Sequence, residues 1–332
     1  MRVLTLGEIM LRFSTQSSER LIQSEALAVH YGGGEANVAI SLANYQHETF
    51  FASKVPDNTL GEAVKKHLRQ YNVDVRHVKM GGSRLGTYYV ESGVGQRAST
   101  VVYDRAYSSF AQMTLAEWEL DELFASIDLF HISGITPALS PVWAEQTLQL
   151  MQAAKARGVK ISFDINYRGK LWTQAQASEV IQQLLPYVDY CSAGKMDAIY
   201  LLNIEPCDSE DELIYYYQQI QQKFPNLQVL YSTKREVISS SINQLQGTLW
   251  MNETYYESKQ HLIDPIVDRI GGGDAFSGGV LHGLLQGDDP QHLIDFATAA
   301  AVLKHSVAGD CNQFSATEVQ EFLQAESGKI VR

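Results

Sequence analysis

The 332-residue chain has little cysteine, little positive charge and no long apolar run, and each shortage excludes something. Its three cysteines, Cys191, Cys207 and Cys311, lie far apart and form no Cys-x-x-Cys pair. That spacing suits neither a disulfide framework nor a zinc knuckle, and it points to a reducing, cytoplasmic setting. Lys and Arg total 26 against 38 Asp and Glu, a formal charge of −12. Such an excess disfavours nucleic acid or an anionic membrane as a partner. An anionic ligand would have to be held by a few local arginines. No apolar stretch approaches the ~20 residues that span a bilayer. Residues 1–10 read as a short strand interrupted by Glu8, without the apolar core of a signal peptide. The nine histidines include no His-Glu-x-x-His or other metal spacing, so no metal ligands are assigned. No Gly-x-Gly-x-x-Gly opens a helix, and residues 81–87 have Walker A spacing without its lysine.

Hydrophobic residues make up 45% of the chain and charged ones 19%, enough to fill a large core. Disorder, collagen and coiled coil are thereby excluded. Strand-like and helix-like stretches alternate: strands at 2–6, 50–55, 129–132, 160–163, 188–191 and 229–232, helices at 35–45, 60–71, 142–156, 177–185 and 211–223. Such alternation predicts βαβ units and a mainly parallel sheet covered on both faces. Two stretches break the rhythm. Residues 84–105 alternate in strand fashion about Gly93 and Gly95 and predict a hairpin, while 11–31 predict one or two joining strands. Together they predict a small antiparallel sheet set apart from the main one; the alternative is an irregular surface excursion. Residues 237–243 and 247–256 predict two further antiparallel strands, and helices are predicted at 274–285, 291–304 and 316–324.

Three segments carry candidate chemistry. In Gly271-Gly-Gly-Asp274 three glycines lead into a helix. Unpartnered amides and the dipole at a helix start favour a phosphate, and glycines let it approach. A carboxylate there repels the anion unless it has another task, such as taking a proton from an attacking hydroxyl. The alternative is a capped helix after a flexible loop. Gly32-Gly-Gly-Glu-Ala-Asn37 opens another helix, with Asn37 placed either to meet a polyhydroxylated ligand or to satisfy local backbone. After a buried strand, Asp164, Asn166 and Arg168 alternate and so share a face. Arg168 suits a carboxylate or phosphate through its planar fork, or else belongs to a salt-bridged loop.

The glycine-run aspartate, the N-terminal Gly-Gly-x-x-x-Asn and their order resemble the ribokinase-like (PfkB) carbohydrate kinases over essentially the whole chain. Within that family, Asp164-Ile-Asn-Tyr-Arg168, Tyr103-Asp-Arg105 and Ala308-Gly-Asp310 look most like the 2-keto-3-deoxygluconate kinases. The resemblance implies one ribokinase-like domain over 1–332: a three-layer α/β core with a mainly parallel sheet, plus a small antiparallel lid from about 11–31 and 84–106. It implies a homodimer through the lid. It also implies transfer of the ATP γ-phosphoryl group to a primary hydroxyl, with Mg2+ and, as an optional addition, a monovalent cation. By position Asp274 would be the base and Gly271, Gly272 and Gly273 the anion hole. Gly33, Gly34, Asn37, Tyr89, Tyr103, Arg105, Arg168 and Asp310 would contact a small-molecule sugar acid. Asn166, Ser192, Lys195, Thr233, Lys234, Arg235 and Thr298 would lie by the nucleotide. Two stretches depart from the family: its Asn-x-x-Glu reads Gly194-Lys-Met-Asp197, and its Thr-x-Gly-x-x-Gly reads Thr233-Lys-Arg-Glu-Val-Ile238, without glycine. Alternatives within this reading are a kinase of a neutral sugar of fructose or ribose type, a kinase of another deoxy-keto acid, and a ligand-binding relative without turnover.

Overall fold

The computed structural model describes residues 1–16, 18–208 and 212–324. Along the chain run β1 (Arg2–Leu6), β2 (Met10–Ser14), β3 (Ala28–Gly32), α1 (Gly34–Asn44), β4 (Glu48–Val55), α2 (Thr59–Gln70), β5 (Val78–Met80), β6 (Thr87–Glu91) and β7 (Thr100–Asp104). Then come α3 (Leu120–Leu123), β8 (Leu129–Ser133), α4 (Pro141–Ala156), β9 (Lys160–Asp164), α5 (Gln174–Leu184), β10 (Tyr190–Ser192), α6 (Lys195–Tyr200) and α7 (Glu212–Lys223). The last third holds β11 (Val229–Ser239), β12 (Ile242–Met251), β13 (Thr254–Glu257), β14 (His261–Ile263), α8 (Gly272–Gln286), α9 (Pro290–Lys304) and α10 (Ala316–Gln324). The expected helix start at Asp211 lies outside the described residues.

Successive residues of the central strands are apolar because both faces of the sheet are covered. Leu4, Phe50, Phe130 and Leu230 point to one side, where they pack with Trp143, Leu150 and Ile181 of α4 and α5. Their neighbours Val3, Phe51, Leu129 and Val229 point to the other, against α1, α2, α8 and α9. The strand order is β13-β12-β11-β10-β9-β8-β1-β4-β5, with β14 added on β12. From β5 to β11 every neighbour is parallel; beyond β11 the pairs are antiparallel. Among the described residues no helix is long and apolar enough to cross a membrane.

The rhythm-breaking segments form a second sheet in the order β3-β2-β6-β7. Its two outer pairs are antiparallel and its central pair, β2 with β6, is parallel. Two strand boundaries near the C-terminal third differ from expectation. Residues 237–243 hold the end of β11, the turn and the start of β12 rather than one strand, and 247–256 cross from β12 into β13. The turn residues there are Ser240-Ser241 and Asn252-Glu253, without the glycine that marks most hairpins. Asn252 and Glu253 both take positive φ, the geometry of a two-residue hairpin turn.

Candidate active site

In doubly wound sheets ligands gather beyond the carboxyl ends of the parallel strands. Here a cleft of about 940 Å³ opens at that edge, walled by the second sheet on one side and by the start of α8 on the other. Gly271 caps α8 with φ +81°, and a Cβ there would lie 1.7 Å from the Asp310 carbonyl oxygen. Gly272 backs onto the His305 ring, whose Cε1 would be 2.4 Å from an added Cβ. Gly273 is different, since a Cβ there would meet nothing within 4 Å. Packing therefore requires glycine at 271 and 272 but leaves open space above 273, beside the free amides of the helix start.

Asp274 occupies the first turn of α8. Its Oδ2 accepts a hydrogen bond of 2.7 Å from Asn37 Nδ2 on α1. Asn37 Oδ1 is buried with no protein partner, an acceptor left for a ligand hydroxyl. A Cβ on Gly34 would lie 3.5 Å from Asp274 Oδ1 and 3.9 Å from Asn166 Nδ2, so these four residues converge on one space. Burial lifts the Asp274 carboxyl to about 6; the Asn37 bond and Arg168 pull it down, while Glu35 and Asp310 push it up. At neutral pH it is ionised yet basic enough to take a proton. Burial, then the charge of Asp274, lifts Asp164 at the end of β9 to about 7. Burial lifts Asp197 to about 6, although its carboxylate caps α6 by accepting from the Gly194 amide at 2.8 Å.

Charges on the second sheet are mostly answered. Arg105 donates from Nε to Glu8 at 2.8 Å and pairs with it a second time, and Ser108 donates to the same carboxylate. Arg12 of β2, fully buried, binds Asp310 at 2.8 Å and Asp268 at 2.7 Å. Asp310 also accepts from the Tyr88 hydroxyl. Glu35 is buried in the first turn of α1, where it accepts from the Ser133 amide at 3.0 Å and hydroxyl at 2.7 Å.

Of the residues proposed from sequence, the cleft gathers Gly33, Gly34, Asn37, Tyr103, Arg105, Arg168, Gly271, Gly273, Asp274 and Asp310. Asn166 and Arg235, expected by the nucleotide, line this same cleft. A smaller neighbouring cleft of about 260 Å³ holds Lys195, Thr233 and Lys234. Four proposed residues line neither cleft, and Gly272, buried against the His305 ring, is the first of them. Tyr89 faces away and stacks on Phe13 at 5.2 Å, because strand alternation turns Tyr88 instead towards the cleft. Thr298 is fully buried in α9, donating to the Ile294 carbonyl at 2.7 Å and abutting Gly247, so it can meet no ligand. Ser192 lines neither cleft and sits opposite Asp164 in the β9–β10 pairing. Sequence reasoning missed Tyr88, Arg269 and Glu35. The acid inside the apolar strand start, Glu8, was the one signal of a buried ion pair. Among the described residues no group of three or more His, Cys, Asp or Glu could hold a metal ion.

A doubly wound core that sets helix-start amides beside a carboxylate of raised basicity, next to a small second sheet, is equipment for transferring a phosphoryl group to an alcohol. Residues 1–317 match the model of the pfkB family carbohydrate kinases, and the chain belongs to that family. The chain is similar to 2-dehydro-3-deoxygalactonokinase of Haloferax volcanii, 31% identical over 330 residues covering 99% of each chain. It is also similar to 2-dehydro-3-deoxygluconokinase of Bacillus subtilis, 26% identical over 97% of this chain and 95% of that one. Among solved structures, a PfkB family carbohydrate kinase of Listeria grayi is 47% identical with a TM-score of 0.95, covering 98% of this chain and all of that one. The 2-dehydro-3-deoxygluconokinase of Thermotoga maritima is 36% identical with a TM-score of 0.94 over the same shares. The expected fold class and kinase activity are thereby borne out.

Proposed function

We propose that the protein phosphorylates 2-keto-3-deoxygluconate with ATP, giving the 6-phosphate. The observation that carries this reading is Asp274: a carboxylate raised to about 6, fixed by Asn37, beside helix-start amides and open space at Gly273. The O6 hydroxyl loses its proton to Asp274 as O6 bonds to the γ-phosphorus and the bond to the bridging oxygen of ADP breaks. The amides of Gly271, Gly273 and Asp274 then carry the charge on the transferring group. Asn37 Oδ1 and Asn166 hold hydroxyls of the acceptor. A sugar acid rather than a neutral sugar is supported by the exposed Arg168 in the same cleft, and by the substrate names of the relatives.

Magnesium fits the residues present, since it takes one or two carboxylates and completes its shell with phosphates and water. Asp164 and Asp197, both partly buried acids without a cationic partner in bonding contact, would hold it, and when bound it would neutralise the phosphate oxygens. We read the chain as one kinase domain of the cytoplasm, where its three unpaired cysteines and its donor both belong. Pairing of two copies through the lid is supported by Val29 and Val102, about half exposed on β3 and β7.

A coupled assay of ADP release, with ATP and magnesium, tests this across neutral sugars and both the gluco and galacto keto-deoxy acids. Turnover is expected with the acids and not with ribose or fructose. Asp274→Asn keeps the shape but loses the proton acceptor, so kcat should fall by about 10²–10⁴ with little change in KM for the acid. Preference for a neutral sugar, or near-normal turnover in the variant, would overturn the assignment.

A further inference from the structure

Three arginines of the cleft make no ion pair among the described residues: Arg168 is exposed and acts at a distance on Asp164 and Asp274, while Arg235 and Arg269 have no carboxylate set against them. Arg105 is neutralised by Glu8, and Arg12 by Asp268 and Asp310. Arg235 and Arg269 both line the large cleft, and among the described residues neither makes an ion pair with a carboxylate. They are also close enough to repel. Burial, and then the charge of Arg269, hold the Arg235 guanidinium down to about 10. Both arginines act on His305, the ring that lies against Gly272. Two cations held together without a counter-ion cost folding free energy, and an arriving anion offsets that cost.

Position decides which anion. Arg269 stands two residues before Gly271, so it reaches the cleft beside the helix-start amides. Arg235 lies on β11 directly after Thr233 and Lys234, which line the smaller cleft. Alternation along the strand turns Lys234 to that cleft, where it pairs with Glu257, and Arg235 to the large one. Arg235 thus stands where the two clefts meet. An elongated ligand with one end in the small cleft and the other at Gly273 must pass it.

We infer that Arg235 and Arg269 form a paired guanidinium seat for the terminal phosphates of the nucleoside triphosphate donor. The planar forks supply by charge what β11, lacking glycine, does not supply by open backbone. The identity of the anion as a nucleotide's phosphates rests on the kinase reading above.

The test uses the full chain and three variants: Arg235→Gln, Arg269→Gln and the double change. Inorganic tripolyphosphate, without sugar or magnesium, is the first probe, with sodium chloride of equal ionic strength as its blank. Tripolyphosphate should raise the melting temperature of the parent protein, and the double variant should lose that rise. In the kinase assay each single change should raise KM for ATP roughly ten- to a hundred-fold, leaving KM for the acid unchanged. If a glutamine variant does not fold, Arg269→Lys and Arg235→Lys keep the charge but not the fork, and should show a smaller rise in KM for ATP. Equal protection of parent and double variant would overturn the inference. So would a rise in KM for the acid in place of ATP, which would make the pair a reader of the substrate carboxylate. A parent that phosphorylates no acid, yet loses tripolyphosphate protection with the pair, would sink the proposed activity and leave the anion seat standing.

Discussion

Gly271 and Gly273 are glycines for different reasons. At 271 the left-handed backbone and the Asp310 carbonyl 1.7 Å from any Cβ both forbid a side chain. At 273 neither restraint exists, so packing does not require glycine there, and the proposed anion hole is what would need the space. Gly271→Ala should therefore lower unfolding stability by at least about 1–3 kcal/mol, the cost of a forced positive φ. Gly273→Ala should leave stability within roughly 1 kcal/mol, since alanine is the better helix former, while turnover drops by about 10² through the obstructed anion hole. Melting curves and kcat measured together check the pair, and a destabilised Gly273→Ala with normal kcat would contradict it. Asp274 makes a pH statement as well. It accepts a proton only when ionised, and burial places its titration at about 6 rather than the usual carboxylate range. The value of kcat/KM should thus fall about tenfold per unit below pH 6 and flatten above it. An acid limb centred near pH 4 would mean that the group is better solvated than its surroundings imply.

Among the elements, β2 shows how the second sheet is fastened. Its residues Met10 and Leu11 are buried apolar, but between Leu11 and Phe13 it carries Arg12 into the interior. That charge is tolerated because Asp268, ahead of α8, and Asp310, beyond α9, meet it there. Tyr88 of β6 closes the same cluster on Asp310. The latch thus joins two strands of the second sheet to the segments on either side of α8 and α9. Arg12→Met would leave two buried carboxylates without their cation, and should cost about 3–5 kcal/mol in urea unfolding. A loss under roughly 1 kcal/mol would show that the carboxylates relax into water and that the latch does not hold the second sheet. The main sheet, by contrast, is held mainly by apolar packing against helices on both faces.

For the whole molecule, a net charge of −12 coexists with a cleft bearing unanswered arginines. Charge is arranged locally, so an anionic ligand is attracted where the global count says it should be repelled. Much of this fold is written in short-range pattern. Strand and helix alternation, the two segments that leave it and the glycine run before Asp274 are matters of residue type within a few positions, and composition alone carries them. The turn at Asn252-Glu253 was harder to read, because asparagine and glutamate take a conformation usually marked by glycine. What the sequence could not decide is which side chains face each other. Asn37 and Asp274 are 237 residues apart, Arg12 and Asp310 are 298 apart, and Glu8 meets Arg105 across 97. Tertiary contact chose Tyr88 over Tyr89, took Thr298 out of reach, neutralised Arg105 and left Arg235 and Arg269 free. The physical reason is range. Backbone preference and hydrophobic period act along the chain, while burial, charge compensation and proton affinity depend on neighbours that only folding supplies.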